Sequence, residues 1–513
     1  MLKRSRALAS VAAIAILSGI AAPAWAETLK EALALAYQTN PTLLAQRASQ
    51  RALDESIVQA RAGLRPQLDI TASGGYAWSQ TAASQRQVDT NNDGVPDTTI
   101  NVPASTEDGT TAGASLGLSQ TLWSGGRIGH GITAAEANIL AGRENLREIE
   151  QTVLASVIQA YADVIRDTDV LRIRQSNLGV LRRQLDESSA RFEVGEITRT
   201  DVAQSEARLA QSEADLANAQ AQLSVSRAVY AAVVGQAPGD LAPMPALPNL
   251  PTDFDAALDV AMQDNPSIRA AGYTLQAAEA NVAAAKAEYL PSVRLTASYG
   301  GDTDDIGSPA DIADNQSFQA GASLSMPLFT GGLNSSRVAQ ARERANVAQI
   351  NVEGERRSTL QSVSSAYAQS LSARSTLTAG EEAVRAATVA AEGVRQEAQV
   401  GLRTTLDVLN QELELRNAEV GLASARRNEY VAQANLLAAM GRLEGQDLDP
   451  SIVVYDPADN YNHVRNRGGL PWDGLIESID RIAAPSIMPA NDAADAPIDT
   501  QLKSEVVQTA PHN

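Results

Sequence analysis

The chain has 513 residues, no cysteine and a formal net charge of −20, with 61 acidic against 41 basic side chains. The lack of cysteine excludes disulfides and thiol chemistry, and so acidic a chain argues against nucleic acid as a partner. Its three histidines, His130, His463 and His512, are far apart and form no metal-ligand or catalytic-triad spacing. We therefore expect no enzyme activity, no catalytic residue, no metal site and no cofactor.

Residues 1–26 have the pattern of a secretory signal peptide. Three cations precede an apolar run from about Ala7 to Ala22, and Ala24-Trp25-Ala26 follows as a small-x-small cleavage site. The run is too short for a membrane-spanning helix, and no later stretch is apolar enough for one. The sequence thus predicts an exported protein in which strands make any membrane crossing.

Most of the remaining chain is predicted to consist of two tandem repeats of one structural unit. The first repeat covers about 28–237 and the second about 253–449, with a proline-rich linker at 238–252. Matched motifs are Asn40-Pro41 with Asn265-Pro266, and Leu122-Trp123-Ser124-Gly125-Gly126 with Leu328-Phe329-Thr330-Gly331-Gly332. The offset between the repeats falls from 225 to 206 between these two pairs. The first repeat therefore carries an inserted loop between the two motifs.

Two alternating stretches in each repeat predict β-strands, at about 67–78 and 111–123 and again at about 292–300 and 317–329. In the first stretch, apolar residues from Leu68 to Trp78 alternate with small polar ones. This alternation over about ten residues suits a strand with lipid on one face and water on the other. A soluble sandwich sheet would show the same pattern, so the alternation alone leaves both open.

After each Gly-Gly pair the spacing changes to that of a long coiled-coil helix. Along 127–193, apolar residues alternate gaps of three and four without an interrupting proline, and a return helix is predicted over 200–234. The second repeat predicts the same pair over 333–400 and 406–440. At about 1.5 Å per residue a long helix spans roughly 100 Å. The return helix, stacked end to end on the helix of about 41–64, has nearly the same length. Each repeat is therefore predicted to form one continuous helical rod and one composite rod made of these two stacked helices.

A short motif joins the two helices of each repeat: FEVGEITRTDV at 192–202 and AQVGLRTTLDV at 398–408. Its glycine stands where the long helix ends, a position that favours left-handed backbone. A threonine three residues later can cap the next helix, and an aspartate three residues further completes a capping box. These residues are Gly195, Thr198 and Asp201 in the first repeat and Gly401, Thr404 and Asp407 in the second. The motif is thus predicted to be the tip of a helical hairpin, a role that by itself explains all three residue types.

Spacing and composition give interpretations for two further segments, a loop at 89–97 and the C-terminal residues 450–513. DTNNDGVPD at 89–97 has the spacing of a calcium loop, but Ile100 stands where an EF-hand has its bidentate glutamate. A solvated turn is therefore the main interpretation and calcium the alternative. Residues 450–513 form a C-terminal extension that is partly disordered: about 456–474 is expected to pack on the helices, and the chain after about Pro485 to be disordered.

Four strands per chain are too few to close a membrane barrel, which needs at least about eight. Two chains would supply eight strands, whose interior is filled by side chains, and three would supply twelve, enough for a water-filled lumen. The parts therefore predict a tube built from several chains, in which a membrane barrel continues into a long helical barrel.

The order of these parts over about 28–450 resembles the TolC-like outer-membrane efflux proteins. The resemblance implies a mainly α fold with a membrane portion: a homotrimer whose twelve-stranded β-barrel continues as a twelve-helix periplasmic α-barrel. It implies a location in outer-membrane lipid and docking to a periplasmic adaptor (membrane fusion protein) and an inner-membrane pump or ABC transporter. The cargo would be small molecules or unfolded protein. The alternative is a periplasmic coiled-coil adaptor or scaffold without a pore, which would need the helices but not the strands.

The resemblance also implies residues for a periplasmic gate. In the family, an arginine and a tyrosine of the second repeat bond a threonine and an aspartate of the first. The arginine corresponds to Arg403, and its partners to Thr200 and Asp201, whereas the tyrosine position is Ala398. One of the two gate links is therefore expected to be missing.

Two aspartates ring the entrance in the family, and they are expected to set its selectivity. The first corresponds to Asp407, but the second position is Asn410. The resemblance thus implies a single ring of carboxylates in this chain. The hairpin tips, marked by Gly195, Thr198, Gly401 and Thr404, are expected to dock the adaptor.

Overall fold

The structure, a computed structural model, describes residues 26–92 and 94–490, so most of the predicted signal peptide and the end of the C-terminal extension lie outside the described residues. The first repeat contains α1 Leu29–Thr39, α2 Pro41–Asp54, α3 Ser56–Ala62, β1 Gln67–Thr81, β2 Ser84–Val88, β3 Thr98–Val102, β4 Ser105–Trp123, α4 Arg127–Glu193 and α5 Arg199–Val234. The second contains α6 Phe254–Asp264, α7 Pro266–Ala287, β5 Ser292–Thr303, β6 Gln316–Ser325, α8 Leu333–Gln399 and α9 Thr405–Ala439. Three short helices follow: α10 Gly445–Leu448, α11 Pro457–Val464 and α12 Asp473–Asp480.

Each repeat pairs its long helix with its return helix, and the ends of these helices lie within one residue of the predicted positions. Helix α4 packs against α5 and α8 against α9, while α7 lies between α4 and α8. None of the described helices has both the length and the apolar character needed to span a bilayer. The framework is therefore a set of long rods held side by side.

The Asn-Pro motif of each repeat joins the two halves of its composite rod. Asn40 caps α2 by accepting from the backbone N–H of Thr42, and its Nδ2 donates to the carbonyl of Val233 near the end of α5, at 2.9 Å. Asn265 does the same for α7, and its Nδ2 donates to the carbonyl of Ala439 at 3.1 Å. One side chain thus provides a hydrogen-bond partner for an unpaired N–H at the start of one helix and for a carbonyl at the end of another. This holds the two helices end to end.

The strands form one antiparallel sheet in the order β1-β4-β5-β6. The predicted boundaries 67–78 and 111–123 were too narrow, because the ladder continues to the pair of Thr81 with Ser105. The apolar alternation stops before that point, but backbone pairing does not depend on it. Beyond it, β2 and β3 form a separate two-stranded ribbon inside the inserted loop.

In the second repeat, β5 runs to Thr303, beyond the predicted 300. Strand β6 ends at Ser325, before the predicted 329. Pro327 explains the early end, because proline has no N–H to donate to a ladder.

The four-stranded sheet leaves its apolar side chains uncovered. On β1, Leu68, Ile70, Tyr76 and Trp78 lie on alternate positions, and Ile70 and Trp78 are 80% and 59% exposed. Within the described chain no helix packs extensively over this row; Ile306 of the β5–β6 loop approaches it at Gly74, and α12 contacts β4 instead. A sheet of this kind needs a further apolar environment to cover it.

The largest hydrophobic core joins the first repeat to the end of the second. It gathers side chains of α1, α4, α5, α9 and the segment after α9, with Tyr37, Tyr161 and Tyr230 among the fully buried residues. The second repeat has a smaller core around Phe254, Leu258 and Val363. The two repeats therefore share their elements but not their packing.

Residues 473–490 form a C-terminal strap over the start of α4. The Asp480 carboxylate is buried and accepts hydrogen bonds from the Ser124 backbone, the Ser124 hydroxyl and the Gly129 backbone. The strap continues to Ala490, whose N–H donates to Glu279 of α7 at 2.9 Å. The chain after Pro485, where disorder was expected, thus follows a defined path to α7 with residues 486–489 exposed. The rest of that prediction falls on 491–513, outside the described residues.

Candidate functional site

Both hairpin tips have the same backbone geometry. The long helix of each repeat ends at a glycine with φ of +79°, Gly195 or Gly401. Gly195 donates to the Phe192 carbonyl and Glu196 to the Arg191 carbonyl, the paired bonds of a Schellman motif. Gly401 and Leu402 repeat this pattern. The left-handed φ explains the glycine in each tip, because a Cβ would be strained there.

The predicted capping box is present at the start of both return helices. The Thr198 hydroxyl accepts from the Asp201 N–H, and the Asp201 carboxylate accepts from the Thr198 N–H at 2.9 Å. Thr404 and Asp407 make the same pair of bonds. Bonds from the threonine backbone and then from its hydroxyl hold the pKa of both aspartates below its usual value. Both carboxylates are therefore ionised at neutral pH.

The structure does not bring the gate residues together within one chain. Arg403 Nε donates to Glu397 Oε2 of its own tip at 2.8 Å. Thr200 and Asp201 lie on the first turn of α5, and among the described contacts neither bonds Arg403. Arg403 and Asp407 are close enough for their charges to interact. The predicted link between Arg403 and Asp201 thus requires a different chain or a different state of the tips.

The two hairpins are held by different chemistry near their tips. In the first, Ser188 and Ser205 share a buried hydrogen bond of 3.2 Å, and Asn177 Nδ2 donates to Ser212 Oγ. In the second, a buried glutamate, Glu412, is paired with Arg395 of α8 and Arg416 of its own helix. A neutral polar seam in one hairpin therefore corresponds to an ionic one in the other.

Replacing Glu412 by glutamine is expected to lower the free energy of unfolding by about 1–3 kcal/mol, because two guanidinium groups lose their shared buried carboxylate. The matched control is Glu206→Gln, 206 positions earlier, where the side chain is exposed and a change within about 0.5 kcal/mol is expected. Chemical denaturation of both variants in detergent, followed by circular dichroism, measures the difference. Equal stability of the two variants would contradict the role given to Glu412.

Sequence reasoning missed one contact between the repeats near the tips. Arg208 Nη2 on α5 donates to Asn410 Oδ1 on α9 at 2.9 Å. The positions are 202 residues apart, and no local pattern relates them. The absence of the second family aspartate at Asn410 was the only signal in the sequence that pointed to this site.

The candidate calcium loop is an internally bonded turn where the structure describes it. Asp97 accepts from both the backbone and the hydroxyl of Thr90, and Asp89 accepts from the Gly94 N–H at 2.6 Å. Asp93, which the calcium interpretation also uses, lies outside the described residues. Among the residues the structure does describe, no group of three or more potential ligands could hold a metal ion.

A model of the family described as "Outer membrane efflux protein" matches residues 32–236 and 257–442. These two spans follow the two repeats and leave out the linker between them. The chain belongs to the outer membrane efflux protein family. The resemblance found in the sequence is thereby confirmed.

Relatives of this efflux protein agree with that assignment. It is 34% identical to the outer membrane efflux protein BepC of Brucella suis over 468 residues, 91% of this chain and 96% of BepC. It is 28% identical to the outer membrane protein TolC of Escherichia coli, covering 84% of this chain and 86% of TolC. The Campylobacter jejuni CmeC outer membrane channel superposes with a TM-score of 0.68 at 16% identity, covering 85% of this chain and 89% of CmeC, and so shares its fold.

The chain is therefore an export channel of the outer membrane, with a long periplasmic portion. The predicted location and function are confirmed. The alternative of a periplasmic adaptor without a pore is not supported, because the similarity to BepC and TolC runs over nearly the whole chain, strands included.

Proposed function

We propose that three copies of this chain assemble into one tube, with a twelve-stranded barrel in outer-membrane lipid and a twelve-helix barrel in the periplasm. The four-stranded sheet carries this proposal. Its edge strands β1 and β6 have no partner strand on their outer sides within the described chain, and its apolar row faces solvent. Joining β6 of one copy to β1 of the next removes every edge, and three copies leave room for a water-filled lumen.

The hairpin tips are the proposed docking surface for a periplasmic adaptor, through which the channel would be coupled to an inner-membrane pump or ABC transporter. Val194, Val400 and Leu402 stand at the tips and are 78%, 72% and 74% exposed. Apolar side chains this exposed on two equivalent turns suit the apolar end of another helical hairpin. The shape of this surface is fixed by the Schellman and capping-box hydrogen bonds of Gly195, Thr198, Gly401 and Thr404.

The gate is proposed to form between protomers. Arg403 is exposed and bonded only to its neighbour Glu397 within the described chain, so it is available to Thr200 and Asp201 of an adjacent copy. Asp407, whose low pKa keeps it ionised, would supply one carboxylate per protomer to a ring at the entrance. Small molecules or unfolded proteins would leave through this entrance once the tips separate.

Native mass spectrometry of the purified protein in detergent is expected to return three protomers. Because the chain has no cysteine, a designed pair is the only thiol pair present. Ser73→Cys on β1, combined in turn with Gln319→Cys, Gly321→Cys and Ser323→Cys on β6, is expected to give covalent trimers for the pair in register. Each single-cysteine variant is the control and should yield no covalent trimer. A monomer that conducts ions in a planar bilayer would contradict the assembly.

A further inference from the structure

We propose that Arg208 and Asn410 form a latch inside each protomer that holds the entrance closed and offsets its negative charge. This inference rests on the proposed function, in which the hairpin tips surround the entrance. It assigns a positioning role to Arg208, a residue outside the predicted gate, and a specificity role to Asn410.

The contact joins the two repeats close to the tips. Arg208 is nine residues into α5 and Asn410 five residues into α9, which places them about 14 Å and 8 Å from the helix starts. Their bond of 2.9 Å is the only side-chain hydrogen bond between α5 and α9 in the part of the chain that the structure describes. Separation of the two return helices near the tips would have to break it.

The other candidate links cannot serve this purpose within a protomer. Within one protomer Arg403 bonds Glu397 of its own tip rather than a residue of the first repeat, and Ala398 has no polar group. Asp201 and Asp407 cap their own helices, and among the described contacts neither bonds a residue of the other repeat. Among the described residues, the Arg208–Asn410 bond is therefore the side-chain hydrogen bond that joins the two repeats near the tips.

The same bond changes the charge of the entrance. Asn410 contributes an uncharged amide. Each protomer therefore offers the Asp407 carboxylate and, about one turn further along α9, the Arg208 guanidinium bonded to Asn410. An arginine remains protonated at any physiological pH. A guanidinium added to the lining of an entrance weakens the attraction of that entrance for cations. The pair thus favours a less cation-selective entrance than Asp407 alone would give.

Single-channel recording in planar bilayers tests the latch. Loss of one hydrogen bond to a charged donor in each protomer is expected to raise the open population, and so the mean conductance, about threefold to tenfold in Arg208→Ala and in Asn410→Ala. The double variant should gain no more than either single variant, because the two changes break the same bond. Arg182→Ala on α4, which removes an exposed arginine away from this contact, is the charge control and should conduct as wild type.

Reversal potentials in a salt gradient test the charge. Asn410→Asp is expected to keep the link as an ion pair and leave conductance at or below wild type. In the Arg208→Ala background, the same substitution should raise conductance and shift the reversal potential towards cations. Melting temperatures and trimer content of all variants show whether each has folded.

The possible failures can be told apart. If wild type forms no channel in the bilayer, the proposed function fails. If wild type conducts and Arg208→Ala and Asn410→Ala both fold and match it, the latch is wrong while the channel stands. If Arg403→Ser raises conductance and Arg208→Ala does not, the gate lies between protomers alone and the latch is again overturned.

Discussion

Tyr161→Ala is expected to lower the free energy of unfolding by about 3–5 kcal/mol, the usual cost of removing a large buried aromatic side chain. The side chain is fully buried in the largest hydrophobic core, with its ring centroid 6.4 Å from that of Tyr230. Burial, followed by the nearby charge of Glu27, raises the pKa of Tyr161 to about 12, so its hydroxyl remains a donor at physiological pH. Denaturant titration of the purified protein, followed by circular dichroism, measures the loss.

The hydroxyl contributes separately from the ring. It lies 2.7 Å from the Ala242 carbonyl in the linker and 3.0 Å from the carbonyl of Glu27, two residues before α1. Tyr161→Phe should therefore cost about 1–3 kcal/mol, because both carbonyls lose this partner. Tyr367→Phe is the matched control, since Tyr367 packs edge-to-face on Phe254 without a described hydroxyl bond, and a change near zero is expected. Similar losses in the two variants would mean that the hydroxyl does not tie the linker to α4.

The parts of the fold that were predictable carry their signal locally. A glycine, a threonine and an aspartate at fixed spacing predict the tip because each acts on backbone within a few residues of itself. Asn40 predicts a helix start for the same reason, but not its bond to Val233, which lies 193 residues away. Local chemistry thus gives the elements, and the contacts that join them follow from the tertiary arrangement.

Some structural differences between the repeats cannot be detected by comparing their sequences. Glu412 and Glu206 are the same residue type at matched positions, yet one is buried and the other exposed. The β2–β3 ribbon has no counterpart in the second repeat and too little apolar alternation to be recognised. Likewise the partner of Arg208 depends on how α5 and α9 approach, which no single helix specifies.

The C-terminal strap makes the two strand-to-helix junctions, at Gly126 and Gly332, differ in their surroundings. Gly126 and Gly332 both precede a long helix, with φ of +86° and +89°. A Cβ on Gly126 would lie 2.3 Å from the Cβ of Ala484, whereas one on Gly332 would meet nothing nearer than Ser335 at 4.0 Å. The C-terminal extension therefore covers one junction and leaves the other open in the described chain.

Asp480→Ala is expected to destabilise the covered junction by about 3 kcal/mol or more, because the buried Ser124 and Gly129 donors would lose a charged acceptor at the start of α4. Asp480→Asn should lose less, since its remaining carbonyl oxygen can still accept. Comparing Gly126→Ala with Gly332→Ala separates the effect of the strap from that of backbone strain. Both variants incur left-handed strain of about 1–2 kcal/mol, but only Gly126→Ala must also displace Ala484. Denaturation gives the energies, and limited proteolysis after residue 473 reports whether the strap has been released. Equal stability and equal cleavage of the two glycine variants would mean that the strap rests on the junction without holding it.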